Sequence, residues 1–157
     1  MKKQTLIFRV WQYVKTILGI IFRHPITGVT LVPILPDGRI VLVRRSDSGK
    51  WGLPGGIIDW GEKIVVAARR ELAEETGLEL TKISRFVGNY SDFNRDPRIH
   101  SITITLAVEA EGQLIVKDVL EISEVHAFEL GEIPAGNLAH DHDRLLKDYF
   151  AEKTTID

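Results

Sequence analysis

The chain has 157 residues, a formal net charge of −2 and no cysteine, and 44% of its residues are hydrophobic. This size predicts one globular domain rather than two. The charge offers no basic surface for long nucleic acid, and the lack of cysteine excludes a disulfide framework and a thiolate zinc site. We expect a cytoplasmic protein with a small anionic substrate held by local Arg, Lys or metal.

Residues 1–24 form a predicted apolar helical extension that precedes a single domain of residues 25–157. Arg9 and Lys15 interrupt every long apolar window, which argues against a membrane-spanning helix. Three interpretations stay open: a helix docked on the domain, a dimerisation arm, or a basic amphipathic helix on a membrane surface. Because packing explains apolar stripes more often than lipid does, we expect docking or a homodimer and no membrane contact through residues 1–22.

A β-hairpin follows the extension. Residues 26–35 read as a strand, residues 36–38 as a tight turn, and residues 39–45 as the antiparallel partner. The hairpin carries Arg44 and Arg45 towards the next motif. These two arginines either contact a substrate phosphate or lie at a solvated strand end.

A helix is predicted between Asp59 and Gly77. Asp59 can act as the N-cap, Glu62 can reach back to complete a capping box, and Gly77 can supply the left-handed stop. Three apolar residues recur at helical spacing and predict a buried stripe. They are Val65, Ala68 and Leu72.

Glu71, Glu74 and Glu75 fall within an arc of roughly 100° on one side of this helix. Like charges so placed repel one another, and a hard divalent cation with oxygen ligands would relieve that repulsion. The alternative is an acidic solvated face in which Arg70 pairs with Glu74.

The surrounding spacing decides between these alternatives. Gly56, five residues, Glu62, seven residues, then Arg70-Glu71-Leu72-Ala73-Glu74-Glu75-Thr76-Gly77-Leu78 resembles the Nudix box at all nine defining positions over 23 residues. The chain is therefore similar to the Nudix hydrolases, and weaker resemblance extends from Ile26 to Phe150. The resemblance implies an enzyme that cleaves the diphosphate linkage of a nucleoside diphosphate joined to another group, using Mg²⁺ or Mn²⁺.

The resemblance also implies roles for residues of the box. Glu71, Glu74, Glu75 and the carbonyl of Gly55 would bind the metal, and the bound cation would neutralise the diphosphate and lower the pKa of a bound water. Glu71 would be the general base, with Glu121 as a substitute. The remaining box residues would support this catalytic set. Arg70 and Glu62 would fix Glu71 and the helix end, while Gly56 and Gly77 would be structural.

Residues 91–100 form a polar loop after a strand predicted at residues 82–92. Its Asp-Pro-Arg-x-His sequence resembles the ADP-ribose-hydrolysing branch of the family, in which Arg98 would reach a phosphate, and His100 is a second candidate for substrate binding. The alternative is a surface turn with internal Asp–Arg pairing and a structural histidine.

Strands are predicted at residues 101–109 and 125–130, with a final helix at residues 140–152. In related enzymes a glutamate from the acidic stretch before the last strand approaches the metal. We choose Glu121, with Glu124 in reserve and a solvated acidic loop as the alternative. The acidic residues in Asp141-His142-Asp143 suit the start of the final helix, which explains this group better than a zinc site does.

The order of these elements predicts an α/β protein with an α+β mixed sheet covered by helices on both faces. This architecture matches the α/β/α sandwich that the Nudix resemblance implies. The leading substrate hypothesis is ADP-ribose or a nucleotide sugar. The alternative is an oxidised nucleoside triphosphate. A nucleotide-sensing domain without turnover is a third hypothesis, against which the chain retains every box glutamate.

Overall fold

The computed structural model describes residues 11–19, 24–95 and 99–157. Arg98, a predicted phosphate-binding residue, lies outside the described residues. The strands are β1 (Ile26–Ile34), β2 (Ile40–Arg45), β3 (Trp51–Gly52), β4 (Gly55–Ile57), β5 (Glu79–Tyr90), β6 (Ser101–Glu111), β7 (Ile122–Phe128) and β8 (Thr155–Ile156). The helices are α1 (residues 11–19), α2 (Ile64–Thr76) and α3 (His142–Phe150), and Phe93–Arg95 forms a 3-10 turn.

The strands of the described residues form one mixed sheet. Its order is β3-β2-β1-β6-β5-β8, with β4 paired to β1 and β7 paired to β2. The pairs β1–β6 and β5–β8 are parallel, and the other pairs are antiparallel. Strand β4 aligns Gly56 with Val29 of β1. The glycines that begin the box motif (residues 56–78) therefore lie directly against the central strand.

Alternation along the central strands divides the core between the two faces of the sheet. Helix α2 packs on one face through Ala68 and Leu72, and Leu31 of β1 belongs to this layer. Helix α3 packs on the other face through Leu145, together with Val32 of β1. Adjacent strand residues point to opposite faces, as strand geometry requires. The predicted mixed sheet with helices on both faces is confirmed.

Helix α2 begins later than the capping signals predict. Its first residue is Ile64, and the preceding Lys63 makes no side-chain capping hydrogen bond, so Asp59 is not the N-cap. The physical reason is Gly61, whose φ of 80° belongs to a left-handed turn and cannot continue a helix. The carboxylate of Glu62 still accepts the N–H of Asp59 at 3.0 Å, which stabilises this turn instead of the first helical turn.

The other end of α2 agrees with the prediction. Gly77 has a φ of 76° and its N–H donates to the carbonyl of Ala73 at 3.2 Å. The predicted buried stripe is wrong at Val65, which is 42% exposed. The late helix start leaves Val65 in the exposed first turn of the helix. The buried residues of α2 are Ala67, Ala68, Leu72, Glu75 and Thr76.

Helix α3 is shorter than predicted at both ends. It is preceded by His140 with a φ of 50° and followed by Glu152 with a φ of 53°. Both values lie in the left-handed region, which an α-helix of L-residues does not contain. The predicted helix over residues 140–152 therefore contracts to His142–Phe150.

Helix α1 exposes its apolar side chains. Trp11, Val14, Ile17 and Leu18 are between 38% and 54% exposed. Docking of the extension on its own domain is therefore wrong for residues 11–19, and a homodimer stays a prediction. Among the described helices, none combines the length and hydropathy that crossing a bilayer requires.

Candidate active site

The most buried carboxylate of the box belongs to Glu75. Its side chain is only 4% exposed, although it carries an ionisable group. Its Oε2 accepts the backbone N–H of Gly55 at 2.8 Å, which ties α2 to the loop that enters it. Burial raises the pKa of Glu75 to about 8, against the lowering effect of the Gly55 N–H, and repulsion from Glu71 and Glu121 adds to the increase. The surroundings of Glu75 therefore contain too little positive charge to stabilise its ionised carboxylate.

Glu71 lies one turn earlier on the same side of α2, against the box glycine Gly56. A Cβ built on Gly56 would approach Oε1 of Glu71 to 2.4 Å, so only glycine leaves room for this carboxylate. Burial raises the pKa of Glu71, and the adjacent Arg70 guanidinium opposes that increase. Glu74 and Glu121 raise it further. The backbone turn and the helix thus hold two repelling carboxylates in one place.

Arg70 joins the predicted catalytic glutamate to the loop before the helix. Its Nη1 donates to Oε1 of Glu71 at 2.7 Å, and its Nε and Nη2 donate to the two oxygens of Glu62 at 3.0 and 2.9 Å. The bidentate pair with Arg70 lowers the pKa of Glu62 to about 2. Arg70 also approaches Glu74 at 3.4 Å. The Arg70–Glu74 ion pair that a solvated acidic face predicts is therefore present. It is compatible with the carboxylates of Glu71 and Glu75 lying close together.

The oxygen-rich ligand set suits a hard divalent cation, because Mg²⁺ and Mn²⁺ prefer carboxylate and carbonyl oxygens. The raised pKa values of Glu71 and Glu75 agree with a place where a cation is stabilising. Within the described part of the chain, no group of three or more His, Asp or Glu side chains stands ready to hold a metal ion. The metal assignment of Gly55, Glu71, Glu74 and Glu75 stays a prediction.

A cavity of about 170 Å³ opens beside Glu75. Its walls come from the start of β1, the end of β2, the loop–β4 segment and the residues before α3. The polar and charged side chains in this wall are Thr30, Arg45, Glu75, Arg95, Ser101, Thr103, His140, Asp141 and His142. Helix α2 thus shares a cavity with residues from the other end of the sequence.

The two neighbouring arginines of β2 point to different surroundings. Arg45 lines the cavity, and its guanidinium pairs with Asp47 at 2.9 Å. Arg44 is absent from the cavity wall. It donates to the carbonyl of Gly49 at 3.0 Å and approaches Glu124 at 3.4 Å. Of these two arginines of β2, only Arg45 lines the cavity.

The position of β7 distinguishes Glu121 from Glu124, the two glutamates predicted to approach the metal. Strand β7 begins at Ile122, three residues earlier than predicted, and this places Glu124 opposite Arg44 in the sheet. Glu121 lies at the loop end and raises the pKa of both Glu71 and Glu75. Of the two, Glu121 is the one near the carboxylate cluster.

His100 is held inside its own loop. Its Nε2 lies 3.1 Å from the carbonyl oxygen of Ser91, and its ring packs edge-on against Phe93 at 5.7 Å between centroids. The side chain does not line the cavity. The structure therefore shows His100 supporting its own loop, and its substrate contact stays a prediction.

Three residues of the cavity wall did not emerge from the sequence as site residues: Arg95, Asp141 and His142. Arg95 forms a bidentate pair with Asp141 at 2.6 and 3.1 Å. Asp141 occupies the N-cap position of α3 but makes no side-chain capping bond, so its predicted capping role is wrong. Asp143 instead accepts the N–H groups of Gly136 and Leu138 at 2.6 and 3.0 Å.

His142 is buried and joins α3 to the box entrance. Its Nδ1 accepts the N–H of Leu53 at 2.9 Å, across 89 residues of sequence. Burial lowers the pKa of His142 to about 3, so the imidazole is neutral. A Cβ on Gly52 would approach Nδ1 to 2.8 Å, which explains a glycine at this position. The Asp-His-Asp sequence was the available signal, but only the contact with Leu53 identifies its role.

Comparison with known proteins agrees with this geometry. A family model described as the NUDIX domain matches residues 24–149. The ADP-ribose pyrophosphatase of Methanocaldococcus jannaschii is 36% identical over 137 residues, covering 85% of this chain and 78% of that protein. The oxidized purine nucleoside triphosphate hydrolase of Danio rerio is 36% identical over 89 residues, covering 54% of this chain and 56% of that protein.

A solved structure is also similar. It is the NUDIX domain of Shewanella oneidensis NrtR complexed with ADP ribose, with a TM-score of 0.74 and 26% identity. The match covers 83% of this chain and 90% of that chain. The similarity therefore extends over most of both chains.

Proposed function

Because the chain belongs to the Nudix hydrolase family, we propose that it hydrolyses the diphosphate linkage of ADP-ribose or a nucleotide sugar, using Mg²⁺ or Mn²⁺. Pyrophosphatase activity is the coarser property that the family and the 36% identical pyrophosphatase support. The observation that carries the proposal is the buried carboxylate of Glu75 at the wall of a cavity that also contains Arg45.

The chain's own residues divide the work of hydrolysis. A divalent cation on Glu71, Glu74 and Glu75 would supply charge neutralisation for the diphosphate. Glu71 would accept the attacking water's proton, because Arg70 holds its carboxylate by one oxygen and leaves the other oxygen to accept. Arg45, facing the cavity, would contact a phosphate oxygen.

The relatives named above favour ADP-ribose over a triphosphate. The protein named as an ADP-ribose pyrophosphatase matches 85% of this chain, whereas the triphosphate hydrolase matches 54%. Substrate choice depends on walls outside the box, so the longer match carries more weight. The triphosphate reading remains the second candidate because the box itself is shared.

The two candidates are separated by their products. Purified protein would be incubated with ADP-ribose, a nucleotide sugar and an oxidised nucleoside triphosphate, each with Mg²⁺ or Mn²⁺. ADP-ribose cleavage gives AMP and ribose phosphate, whereas triphosphate cleavage gives a nucleoside monophosphate and pyrophosphate. Glu79→Gln serves as a control, because Glu79 is an exposed carboxylate at the start of β5. Turnover of the triphosphate alone would overturn the proposal.

The neighbouring arginines of β2 provide a matched pair for the substrate contact. We expect Arg45→Gln to lower kcat/KM for ADP-ribose by roughly 10- to 100-fold, since a hydrogen bond to a charged group contributes about 1.5–3 kcal/mol. Arg44→Gln, one residue away and outside the cavity wall, should change it less than about threefold. Equal losses in both variants would contradict the assignment of phosphate contact to Arg45.

A further inference from the structure

The wall of the cavity beside Glu75 also contains polar residues to which the proposed hydrolysis assigns no role. This part of the wall is formed by Arg95 of the 3-10 turn and by His140 and Asp141, which precede α3. The cavity volume of about 170 Å³ is close to that of an engineered site of ~150 Å³ that holds benzene, and therefore suits one ring-sized group.

We propose that this part of the cavity wall is a sugar subsite, in which the carboxylate of Asp141 accepts hydrogen bonds from the vicinal hydroxyl groups of a ribose attached to the diphosphate. The inference rests on the proposed function and deepens it, because it assigns these wall residues to a chemical class of ligand. The residues that carry it all lie within the described ranges.

Arg95 serves this carboxylate and is not available to a phosphate. Its side chain is only 8% exposed, and its Nε and Nη2 both donate to Asp141. Its Nη1 donates to the backbone carbonyl of Tyr90. With all three nitrogens engaged, the guanidinium fixes the plane of the Asp141 carboxylate.

Asp141 retains the capacity to accept hydrogen bonds from a ligand. Its side chain is 17% exposed at the cavity wall. A carboxylate has about four lone-pair sites, and among the described residues the Arg95 guanidinium uses two of those on Asp141. The N-cap position of α3 commonly commits a carboxylate to helix N–H groups, but Asp141 makes no such bond. An acceptor-only group in this wall selects hydroxyl donors and repels a further phosphate.

The backbone around Asp141 is held in place at some cost. The preceding residue, His140, has a φ of 50°, a conformation that non-glycine residues adopt only where the surroundings enforce it. On the other side, His142 accepts the Leu53 N–H, and the N–H of Ala139 donates to the Trp51 carbonyl at 2.7 Å. The segment is therefore clamped to the box entrance, which keeps Asp141 at a constant position relative to the reacting end.

The test combines variants of Asp141 with analogues of ADP-ribose. One analogue lacks the vicinal hydroxyl groups of the terminal ribose, and another lacks those of the adenosine ribose. For the native protein we expect kcat/KM to be lower for one analogue than for ADP-ribose by about tenfold or more. The affected analogue identifies which ribose occupies the subsite. Asp141→Asn should lose a similar factor on ADP-ribose and almost nothing further on that analogue.

Two further variants separate contact from support. Asp141→Glu keeps the charge and the pairing with Arg95 but moves the carboxylate by one methylene, so it should raise KM more than it lowers kcat. Asp157→Asn removes an aspartate that pairs with Arg144 outside the cavity, and it should leave kcat/KM unchanged for ADP-ribose and both analogues.

Several outcomes would overturn the inference. If the native enzyme cleaves ADP-ribose and both analogues equally well, that result alone overturns the inference. Equal losses for Asp141→Asn on ADP-ribose and the analogues would mean that Asp141 only supports the fold. Failure of the proposed function looks different, since the native protein would then cleave none of the three compounds.

Discussion

His142 makes stability depend on pH in a direction that the structure specifies. Its pKa is about 3 in the folded protein because the ring is buried and its Nδ1 accepts the Leu53 N–H, against an unfolded value of about 6.5. Between these values the unfolded chain binds the extra proton, so the free energy of unfolding falls as pH falls. The contribution is complete above about pH 6.5 and decreases towards pH 3, with a loss of about 2 kcal/mol by pH 5.

Glu75 contributes with the opposite sign. Its pKa of about 8 in the folded protein is raised above the value of an unperturbed glutamate, so the folded state binds the extra proton and gains stability as pH falls. The pH profile of the native protein alone is therefore a sum of opposing effects. The difference between two proteins that share Glu75 isolates the histidine.

The perturbation is His142→Asn, whose side-chain oxygen can still accept the Leu53 N–H. Urea unfolding followed by tryptophan fluorescence in EDTA would give the free energy at about pH 8 and about pH 5. We expect the native protein to lose about 2 kcal/mol more than the variant over this interval. His24→Asn, at an exposed position, controls for the loss of a histidine. Identical losses in native protein and His142→Asn would refute the burial of a neutral imidazole.

Three further predictions concern the box and the extension. Glu75→Gln should keep the fold, because the amide oxygen can still accept the Gly55 N–H, and should lose nearly all turnover in Mg²⁺ or Mn²⁺; retained activity would contradict the metal assignment. Gly56→Ala should lower kcat/KM by about 10- to 100-fold by displacing the Glu71 carboxylate, with thermal unfolding little changed, since a Cβ would meet a flexible carboxylate. If the exposed apolar face of α1 forms a homodimer, light scattering should find a dimer for the native chain and a monomer for Leu18→Gln, whereas a native monomer would contradict the prediction.

The box and the sheet were predictable because their signals are local. Helical spacing alone places Glu71 and Glu75 on one side of α2, and the structure keeps them together with raised pKa values. Alternation along a strand likewise predicts two core layers, as Leu31 and Val32 demonstrate. These patterns repeat within a few residues, so no knowledge of the tertiary fold is needed to read them.

The rest of the site depends on contacts between distant parts of the chain. His142 meets Leu53 across 89 residues, and Arg95 meets Asp141 across 46. No local pattern distinguishes such residues from a capped helix start, which is how Asp141 was interpreted. The helix start itself was misplaced because a capping sequence does not reveal that the intervening Gly61 adopts a left-handed conformation.

The distribution of charge in the cavity bears directly on the choice between the two substrate classes. Glu75 and Asp141 of the wall are both acceptors, and Arg95 is already paired with Asp141. A triphosphate would bring several negative charges into this cavity, and a cation at the box can neutralise only those near Glu75. A diphosphate joined to a ribose presents negative charge at the box end and hydroxyl donors to Asp141. The second arrangement leaves no phosphate facing a carboxylate, which favours a sugar-linked diphosphate on electrostatic grounds.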